Sequence, residues 1–369
     1  MSPKSEGSNM VSRKMLLTTL YCAGMLAVTN IAFASMAEQT EPMMSSRAID
    51  EELFVRIGGI DQWITVKGQD RHNPVVLFLH GGPGDPISPY ADSIYGQAWK
   101  QRFTLVQWDQ RGAGRTYGKS GPSIASTLNV NRMVKDGVEV AEYLVKHLHR
   151  EKIIITGGSW GSILGVYMAK ARPDLFYAYV GTAQVVNMKQ IPGGYEKVLA
   201  LARADADRKA IGELEAIGPP PWNALRKLGT LLQWQQVYEA KTGAPHTTPF
   251  SLSAEYTAVK DRADYAAGEE LSFVTFFGAT LLGPIMEVDL PQLGTKFAIP
   301  VFIIQGQEDL RAPPEIAKSY FDRIEAPQKQ FFVLPGSSHE PSRDSTDFLL
   351  KVLLEKVRPL ALEHPAERS

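Results

Sequence analysis

The chain has 369 residues, of which 21% are charged and 44% are hydrophobic, and its formal net charge is -1. This balance is typical of a globular protein, and the length suits one large α/β domain with an insertion, or two domains. The near-neutral charge without a basic run excludes a nucleic-acid partner, and the single Cys22 excludes both a disulfide framework and a cysteine-based zinc site.

The N-terminal residues 1–37 are predicted to be a signal peptide and leader rather than part of the fold. An Arg-Lys pair at residues 13–14 precedes an apolar stretch at residues 15–34, and Ala-Phe-Ala at residues 32–34 offers a cleavage site. We therefore expect an exported protein, periplasmic or secreted, with a signal peptide of about residues 1–34. Once the signal peptide is cleaved, the mature protein would not be stably inserted in a membrane. The alternative is that the apolar stretch is retained as a membrane anchor.

The first part of the folded core, residues 48–186, alternates between strand and helix patterns. Residues 52–67 alternate apolar and polar side chains around a Gly-Gly pair, which predicts an antiparallel hairpin. Residues 74–79 and 103–108 are almost wholly apolar, as in strands of a parallel sheet buried on both faces. An apolar stripe at helical spacing predicts an amphipathic helix over residues 131–149.

Glycine-rich loops follow both buried strands. The first loop, His80-Gly81-Gly82-Pro83-Gly84, lets backbone N–H groups face a ligand closely; a purely structural turn is the alternative. In the second loop, Asp109 and Arg111 are interpreted as a structural ion pair that fixes the loop rather than as catalytic groups.

The strongest chemical signal is the strand–turn–helix pattern around Ser159. Ile153–Ile155 predict a buried strand, residues 162–170 predict a helix, and the Gly-Gly-Ser-Trp-Gly between them fits G-x-S-x-G. Such an elbow exposes the serine hydroxyl and points the amides of a helix N-terminus at the place where an oxyanion forms. The alternative is a glycine-rich turn without chemistry. A further strand is predicted over residues 177–186.

Residues 187–290 are predicted to form a mostly helical cap inserted between two strands. Their aromatic residues include Trp222, Trp234, Tyr238, Tyr256, Tyr265, Phe273, Phe276 and Phe277. A cap over Ser159 would line the substrate pocket, although each aromatic residue taken singly is better explained as part of the core of the cap.

The second part of the core, residues 291–360, returns to the sheet pattern. Apolar runs at residues 300–305 and 329–334 predict strands, and residues 314–325 and 343–357 predict helices.

Three chemically suitable residues stand after predicted strands, in the order Ser159, Asp309 and His339. A serine hydroxyl needs a histidine to accept its proton, and that imidazole needs a carboxylate to hold its tautomer. The order serine, acid, histidine is that of the α/β-hydrolase arrangement, in which a mostly parallel sheet is flanked by helices. Glu308 is the rival for the acid. We expect neither a metal site nor a cofactor.

The sequence resembles the proline iminopeptidase branch of the α/β-hydrolase fold. The resemblance covers roughly residues 50–357 and is carried by HGGPG at residues 80–84, WDQRGAGR at residues 108–115 and GGSWGS at residues 157–162. It departs from the family after the histidine, where the family's Gly-x-Gly-His-Ser appears as residues 336–340, Gly-Ser-Ser-His-Glu.

The resemblance implies roles for several residues. The triad would be Ser159, Asp309 and His339, with the amides of Trp160 and of the Gly81-Gly82 turn as oxyanion hole. In the family, cap glutamates bind the substrate's free α-amino group; Glu239 is the best match here, and a second is placed only loosely at Glu269 or Glu270. The residues to which the resemblance thus gives a role in catalysis or substrate binding are Ser159, Asp309, His339, Trp160, Gly81, Gly82 and Glu239.

The predicted function is that of an exported serine hydrolase, an aminopeptidase that releases an N-terminal residue, preferably proline, through an acyl-enzyme. Its substrate would be a small peptide. The alternative function is that of a carboxylic-ester hydrolase on the same scaffold, whose substrate would be a small ester. An inactive binding protein of the same fold would ordinarily have lost one member of the triad, and none is missing from this sequence.

Overall fold

A single sheet lies at the centre of the structure, a computed structural model that describes residues 47–188, 193–242 and 250–363. The predicted signal peptide and leader at residues 1–37 lie outside these residues. The sheet has eight strands, which are β1 (Ile49–Ile57), β2 (Ile60–Gly68), β3 (Val75–Leu79), β4 (Thr104–Asp109), β5 (Ile153–Ser159), β6 (Phe176–Gln184), β7 (Val301–Gly306) and β8 (Lys329–Leu334).

The sheet is mostly parallel, with strand order β1-β2-β4-β3-β5-β6-β7-β8. β1 and β2 pair as an antiparallel hairpin, β2 is also antiparallel to β4, and the other pairs are parallel. β3, β4 and β7 are buried along their whole length, which is why they carry nearly continuous apolar runs. The predicted hairpin and buried strands are therefore confirmed.

Helices connect the strands and cover both faces of the sheet. They are α1 (Ala91–Ile94), α2 (Gln97–Lys100), α3 (Gly114–Ser120), α4 (Val130–His147), α5 (Trp160–Ala171), α6 (Tyr195–Ala204), α7 (Arg208–Ile217), α8 (Leu225–Thr242), α9 (Val259–Phe277), α10 (Pro314–Arg323), α11 (Arg343–Val352) and α12 (Arg358–Leu362). Short 3-10 turns cover Ser88–Tyr90, Pro122–Thr127, Pro173–Leu175, Ala254–Tyr256, Pro284–Glu287 and Leu290–Leu293. In the described ranges, none of the helices combines the length and apolarity that a membrane span requires.

The last helix runs further than the sequence predicts. α11 begins at a capping box formed by Ser342 and Ser345, then passes through a π-helical turn over Leu353–Val357 into α12. Leu353, Val357 and Ala361 are all buried against the sheet. Their four-residue spacing continues one apolar face, so the helical region reaches Leu362 rather than residue 357.

The predicted cap corresponds to α6–α9, which lie in the chain between β6 and β7. Trp234 and Tyr238 are buried with apolar residues of α6 and α7, so they belong to the core of the cap as expected. α9 also packs on the main core, where the Ser272 hydroxyl donates to the carbonyl of Gly112 at 2.9 Å. Cap and core lie within one compact unit, and the cap limits of residues 187–290 stay a prediction.

Asp109 and Arg111 do not form the predicted ion pair with each other. The Nε atom of Arg111 donates to Asp136 Oδ2 at 2.6 Å, whereas Asp109 accepts from the Arg115 backbone N–H at 2.8 Å and from the Ser88 hydroxyl. Because β4 ends at Asp109 and the chain turns there, the two side chains reach different partners. Both still fix the loop, and burial raises the pKa of Asp109 to about 6.

Candidate active site

Ser159 stands at the junction of β5 and α5. Its backbone has φ 55° and ψ -121°, a region that residues with a side chain rarely adopt. A Cβ atom at Gly161 would lie 1.9 Å from the carbonyl oxygen of Leu79, and one at Gly157 would lie 2.2 Å from that of Gly161. Glycine is therefore required on both sides of the serine, and the predicted strand–turn–helix elbow is present.

Ser162, the third residue of α5, anchors this strained turn. Its hydroxyl donates to the Ser159 carbonyl at 2.6 Å and accepts from the Val185 backbone N–H at 3.0 Å and from Gln184 Nε2 at 3.1 Å. The elbow is thereby tied to the end of β6. Sequence reasoning passed over Ser162, because its partners lie on another strand.

The structure brings Ser159, His339 and Asp309 into hydrogen-bonding contact. His339 Nε2 lies 2.9 Å from Ser159 Oγ, and His339 Nδ1 lies 2.9 and 3.0 Å from the two carboxylate oxygens of Asp309. The histidine and aspartate side chains are 7% and 0% exposed. Glu308 is partly exposed, and its backbone N–H donates to the Ser337 carbonyl at 2.9 Å. The contacts run from Ser159 to His339 and from His339 to Asp309, which is the order that proton transfer from serine to histidine requires.

Asp309 is held by donors from its own loop. Its Oδ1 atom accepts from the backbone N–H groups of Arg311 at 3.0 Å and Ala312 at 2.6 Å, and its Oδ2 atom accepts from Gln305 Nε2 at 3.1 Å. These bonds fix the carboxylate plane that faces His339.

Gly81, Gly82 and Trp160, which the resemblance implies as an oxyanion hole, line the same cavity as Ser159. A Cβ atom at Gly81 would lie 3.5 Å from the Cβ of Ser159, which places this loop directly beside the serine. Gly82 has φ 101°, and a Cβ atom there would lie 2.6 Å from the backbone nitrogen of Gly84. Trp160 is the first residue of α5, so its N–H has no intrahelical acceptor.

His80 links the glycine loops to the elbow. The Gln110 backbone N–H donates to His80 Nε2 at 3.1 Å, so Nδ1 carries the proton and donates to the Gly81 carbonyl at 2.9 Å. Gln110 Oε1 in turn accepts from Trp160 Nε1 at 2.9 Å. Burial lowers the pKa of His80 to about 4, so it is neutral at pH 7. The three sequence motifs thus meet in one hydrogen-bonded network.

A cavity of about 950 Å³ opens beside Ser159 and His339. Its apolar wall includes Tyr95 from the core and Phe273, Phe277 and Ile285. Tyr265, Phe273 and Phe277 of α9 line the cavity, so for these three aromatic residues the expectation of a role only in the core of the cap is corrected. An apolar pocket with a few polar groups is typical of small-molecule sites.

Acidic side chains also line this cavity, namely Asp85, Glu269 and Glu340. Burial raises the pKa of Asp85, which accepts a hydrogen bond from the Tyr265 hydroxyl. Desolvation raises the pKa of Glu269, and the nearby charges of Asp85 and Glu340 raise it further. Of the two residues at which a second family glutamate was expected, Glu269 lies on the cavity wall and Glu270 does not, although both residues are exposed to solvent.

Glu239 has different partners from those that the resemblance implies. Its side chain is 2% exposed and is absent from the cavity wall. Oε1 accepts from the backbone N–H groups of Leu310 at 2.8 Å and Arg311 at 3.2 Å, and Oε2 accepts from Arg311 Nε at 3.0 Å and Nη2 at 2.8 Å. Burial raises the pKa of Glu239, and the Arg311 guanidinium opposes that rise. Both oxygens are engaged within the protein, which disfavours direct contact with a substrate.

Glu239, Asp309 and His339 also have the spacing of metal ligands, since one donor atom of each lies within 4.8 Å of the others. In this arrangement the positive charge beside Glu239 comes from the Arg311 guanidinium at 2.8 Å, and Asp309 is bonded to His339. The donor set therefore fits an ion pair and a triad, and we assign no metal to it.

Comparisons with known proteins identify the family of this chain. A sequence profile described as serine aminopeptidase, S33, matches residues 70–346. The probable aminopeptidase YbaC of Bacillus subtilis (strain 168) is 31% identical over 321 residues, which cover 86% of this chain and 98% of that relative. The proline iminopeptidase of Clostridioides difficile (strain 630) is 21% identical over 310 residues, covering 82% of this chain and 97% of that protein.

The fold is also that of a solved relative. The crystal structure of the proline iminopeptidase of Mycobacterium smegmatis has a TM-score of 0.63 at 21% identity and covers 85% of this chain and 99% of its own. This likeness confirms the predicted fold class. The chain therefore belongs to the serine aminopeptidase family S33 and is an α/β-hydrolase of the proline iminopeptidase-like branch.

Proposed function

We propose that this protein is an aminopeptidase of proline iminopeptidase type, which releases the N-terminal residue of small peptides through an acyl-enzyme on Ser159. His339 Nε2 accepts the Ser159 proton as the oxygen attacks the carbonyl carbon, and Asp309 accepts a hydrogen bond from His339 Nδ1–H and stabilises the imidazolium. The imidazolium then protonates the leaving amine, and water releases the acyl group by the same steps. The 2.9 Å contacts on both sides of His339 support these roles.

The backbone amides of Trp160, Gly82 and Gly81 are proposed to stabilise the oxyanion. They lie on a helix N-terminus and on a loop that His80 and Gln110 hold in place. Donors fixed before the reaction need no reorganisation when charge develops on the oxygen. The position of Gly81 beside Ser159 supports this assignment.

The observation that carries the aminopeptidase proposal is the acidic wall of the cavity. Desolvation raises the pKa of both Asp85 and Glu269, and repulsion between carboxylates raises both further, from Glu340 on each of them and from Asp85 on Glu269. A substrate's α-ammonium group bound between them would relieve that repulsion through charged hydrogen bonds. We therefore assign the ammonium to Asp85 and Glu269, with Glu340 nearby, rather than to Glu239, whose oxygens bind Arg311.

Asp85→Asn and Glu269→Gln are each expected to lower kcat/KM for free-amino arylamides by about 10- to 150-fold, since charged hydrogen bonds are worth about 1.5–3 kcal/mol. The same variants should leave a neutral short-chain aryl ester nearly unchanged, because it has no ammonium group. Both substrates are assayed side by side with Glu270→Gln as matched control, since Glu270 is the exposed residue next to Glu269 but does not line the cavity.

The pH dependence of KM gives a second measurement on the same variants. Because the carboxyl pKa values are raised, the site loses negative charge as the pH falls through them, and KM for free-amino substrates should rise while KM for the ester stays level. Equal losses on both substrates, or activity on N-blocked prolyl substrates as high as on free ones, would contradict the aminopeptidase. A carboxylic-ester hydrolase would then be the better account.

The preference for proline is the narrower part of this proposal and is supported by the family. The cavity of about 950 Å³ has room for larger residues as well. A rate comparison of a prolyl arylamide, an alanyl arylamide and a short-chain aryl ester tests it directly, and faster cleavage of the alanyl compound would remove proline from the proposal.

Export to the periplasm or the medium is also proposed, on the pattern of residues 13–34. We expect N-terminal sequencing of the exported protein to begin after Ala34 or Ala37. An intact N-terminus recovered in the membrane fraction would instead favour the retained anchor.

A further inference from the structure

The cap helix α8 holds the loop that carries Asp309. Gln235 and Glu239 are one turn apart on this helix, so they share one face, and both are buried. Gln235 Nε2 donates to the Leu310 carbonyl at 2.8 Å, and Glu239 Oε1 accepts from the Leu310 N–H at 2.8 Å. Both polar groups of the Leu310 backbone, directly after Asp309, are therefore bonded to the cap.

Arg311 extends this connection to the histidine loop. Its guanidinium donates through Nε and Nη2 to Glu239 Oε2, and Nη2 also lies 2.8 Å from Glu340 Oε1. Glu340 is the residue after His339. The pair with Glu239 is shielded from water, since the two side chains are 17% and 2% exposed, whereas the Glu340 side chain is 44% exposed. One side chain thus joins the cap helix, the acid loop and the residue that follows the histidine.

The Arg311 backbone completes the link, because its N–H donates to Asp309 Oδ1 at 3.0 Å. Any shift of Arg311 toward or away from α8 would therefore move a donor to the carboxylate that orients His339. A buried ion pair is strongly coupled in this way, since removal of one partner leaves the other charge uncompensated.

We propose that Glu239, Gln235 and Arg311 are positioning residues, through which α8 keeps Asp309 and His339 aligned with Ser159. This inference rests on the proposed function, because it takes Ser159, His339 and Asp309 as the reacting groups. The cap then acts on the chemical step itself, in addition to forming the wall of the substrate cavity, and Glu239 acts without touching the substrate.

The test measures alignment separately from substrate recognition. A neutral alkyl fluorophosphonate reacts with an activated serine by forming an O–P bond and losing fluoride, while the histidine takes the serine proton. The rate of Ser159 modification, followed by mass spectrometry of the intact protein, needs no ammonium site. It is compared in the wild type, Glu239→Gln, Glu239→Leu, Arg311→Lys and Arg311→Gln, together with kcat and KM for a neutral aryl ester.

We expect Glu239→Leu and Arg311→Gln to slow Ser159 modification by about 10- to 100-fold, in line with small displacements of reacting groups. Glu239→Gln and Arg311→Lys should lose less, because the first keeps an acceptor for the Leu310 N–H and the second keeps the charge. For the neutral aryl ester, kcat should fall in these variants while KM stays nearly constant. Glu215→Gln is the matched control, since Glu215 is an exposed cap glutamate paired with Arg203, and it should react at the wild-type rate.

A spectroscopic measurement separates alignment from general loss of structure. We expect the proton on His339 Nδ1, which is hydrogen-bonded to Asp309, to give a far-downfield NMR signal in the wild type that weakens or shifts in the slow variants. If Glu239→Leu fails to fold, the two isosteric or charge-keeping variants, Glu239→Gln and Arg311→Lys, carry the same comparison.

Two results would overturn the inference, and they are distinguishable. Wild-type rates of Ser159 modification and an unchanged NMR signal in the folded Glu239 and Arg311 variants would refute positioning and leave the proposed function intact. If Glu239→Gln then lost only free-amino substrates, Glu239 would be an ammonium ligand after all. A wild-type protein that is not modified at Ser159 would instead refute the proposed function, and this inference with it.

Discussion

Replacing Ser159 by alanine is expected to lower kcat by roughly 10⁴-fold or more while the protein stays folded. In the proposed mechanism this hydroxyl forms the acyl-enzyme, and it stands 2.9 Å from His339 Nε2. Alanine removes one oxygen atom and leaves the glycine contacts of the elbow untouched. His339→Ala should have an effect of the same size, because serine and histidine act as one unit.

The measurement is kcat on both an arylamide and a neutral aryl ester, with circular dichroism and thermal unfolding to establish folding. Ser126→Ala is a suitable control, since Ser126 is an exposed serine in a 3-10 turn away from the site and should retain wild-type activity. If purified, folded Ser159→Ala hydrolysed either substrate at a near wild-type rate, Ser159 would not be the nucleophile.

Asp309→Asn is expected to lower kcat by about 10⁴-fold, far more than Glu308→Gln. An asparagine can keep the acceptor for the Arg311 and Ala312 amides, so the loop should hold. Its amide can present hydrogen atoms to His339 Nδ1, however, which favours the tautomer that cannot accept the Ser159 proton. Glu308 is partly exposed and makes no side-chain bond to His339 among the contacts of the described residues, so its loss should matter little.

These two variants are compared on the neutral ester, where no ammonium contact contributes. If Glu308→Gln lowered kcat more than Asp309→Asn did, Glu308 rather than Asp309 would be the acid that orients His339. Retention of the fold by both variants is part of the prediction, and equilibrium denaturation in urea measures it.

The strands, the elbow and the chain order of the triad could be predicted because their signals are local. A strand buried on both faces needs a continuous apolar run, and residues 74–79 and 300–305 show one. The elbow needs glycine where Gly157 and Gly161 approach backbone oxygens at distances that no Cβ atom allows. Such requirements act on consecutive residues, so they can be read without knowledge of the rest of the chain.

The partners of charged side chains could not be predicted in this way. Arg111 was expected to pair with Asp109, two residues away, but pairs with Asp136 on α4. Glu239 was matched to a family glutamate by its place on a cap helix, yet its partner is Arg311, 72 residues further along the chain. A resemblance transfers a position in the sequence, but the environment of that position depends on side chains brought together by packing.

The sequence by itself determined where the parallel strands lie, where the chain must turn sharply, and which serine, aspartate and histidine follow strand ends. Only the tertiary structure decided which acids face the cavity, since Asp85, Glu269 and Glu340 come from three separate segments. Only the fold, likewise, joined α8 to the loop of Asp309. The physical reason is that backbone conformation and burial periodicity are set by neighbours in the chain, whereas electrostatic partners are set by distance in space.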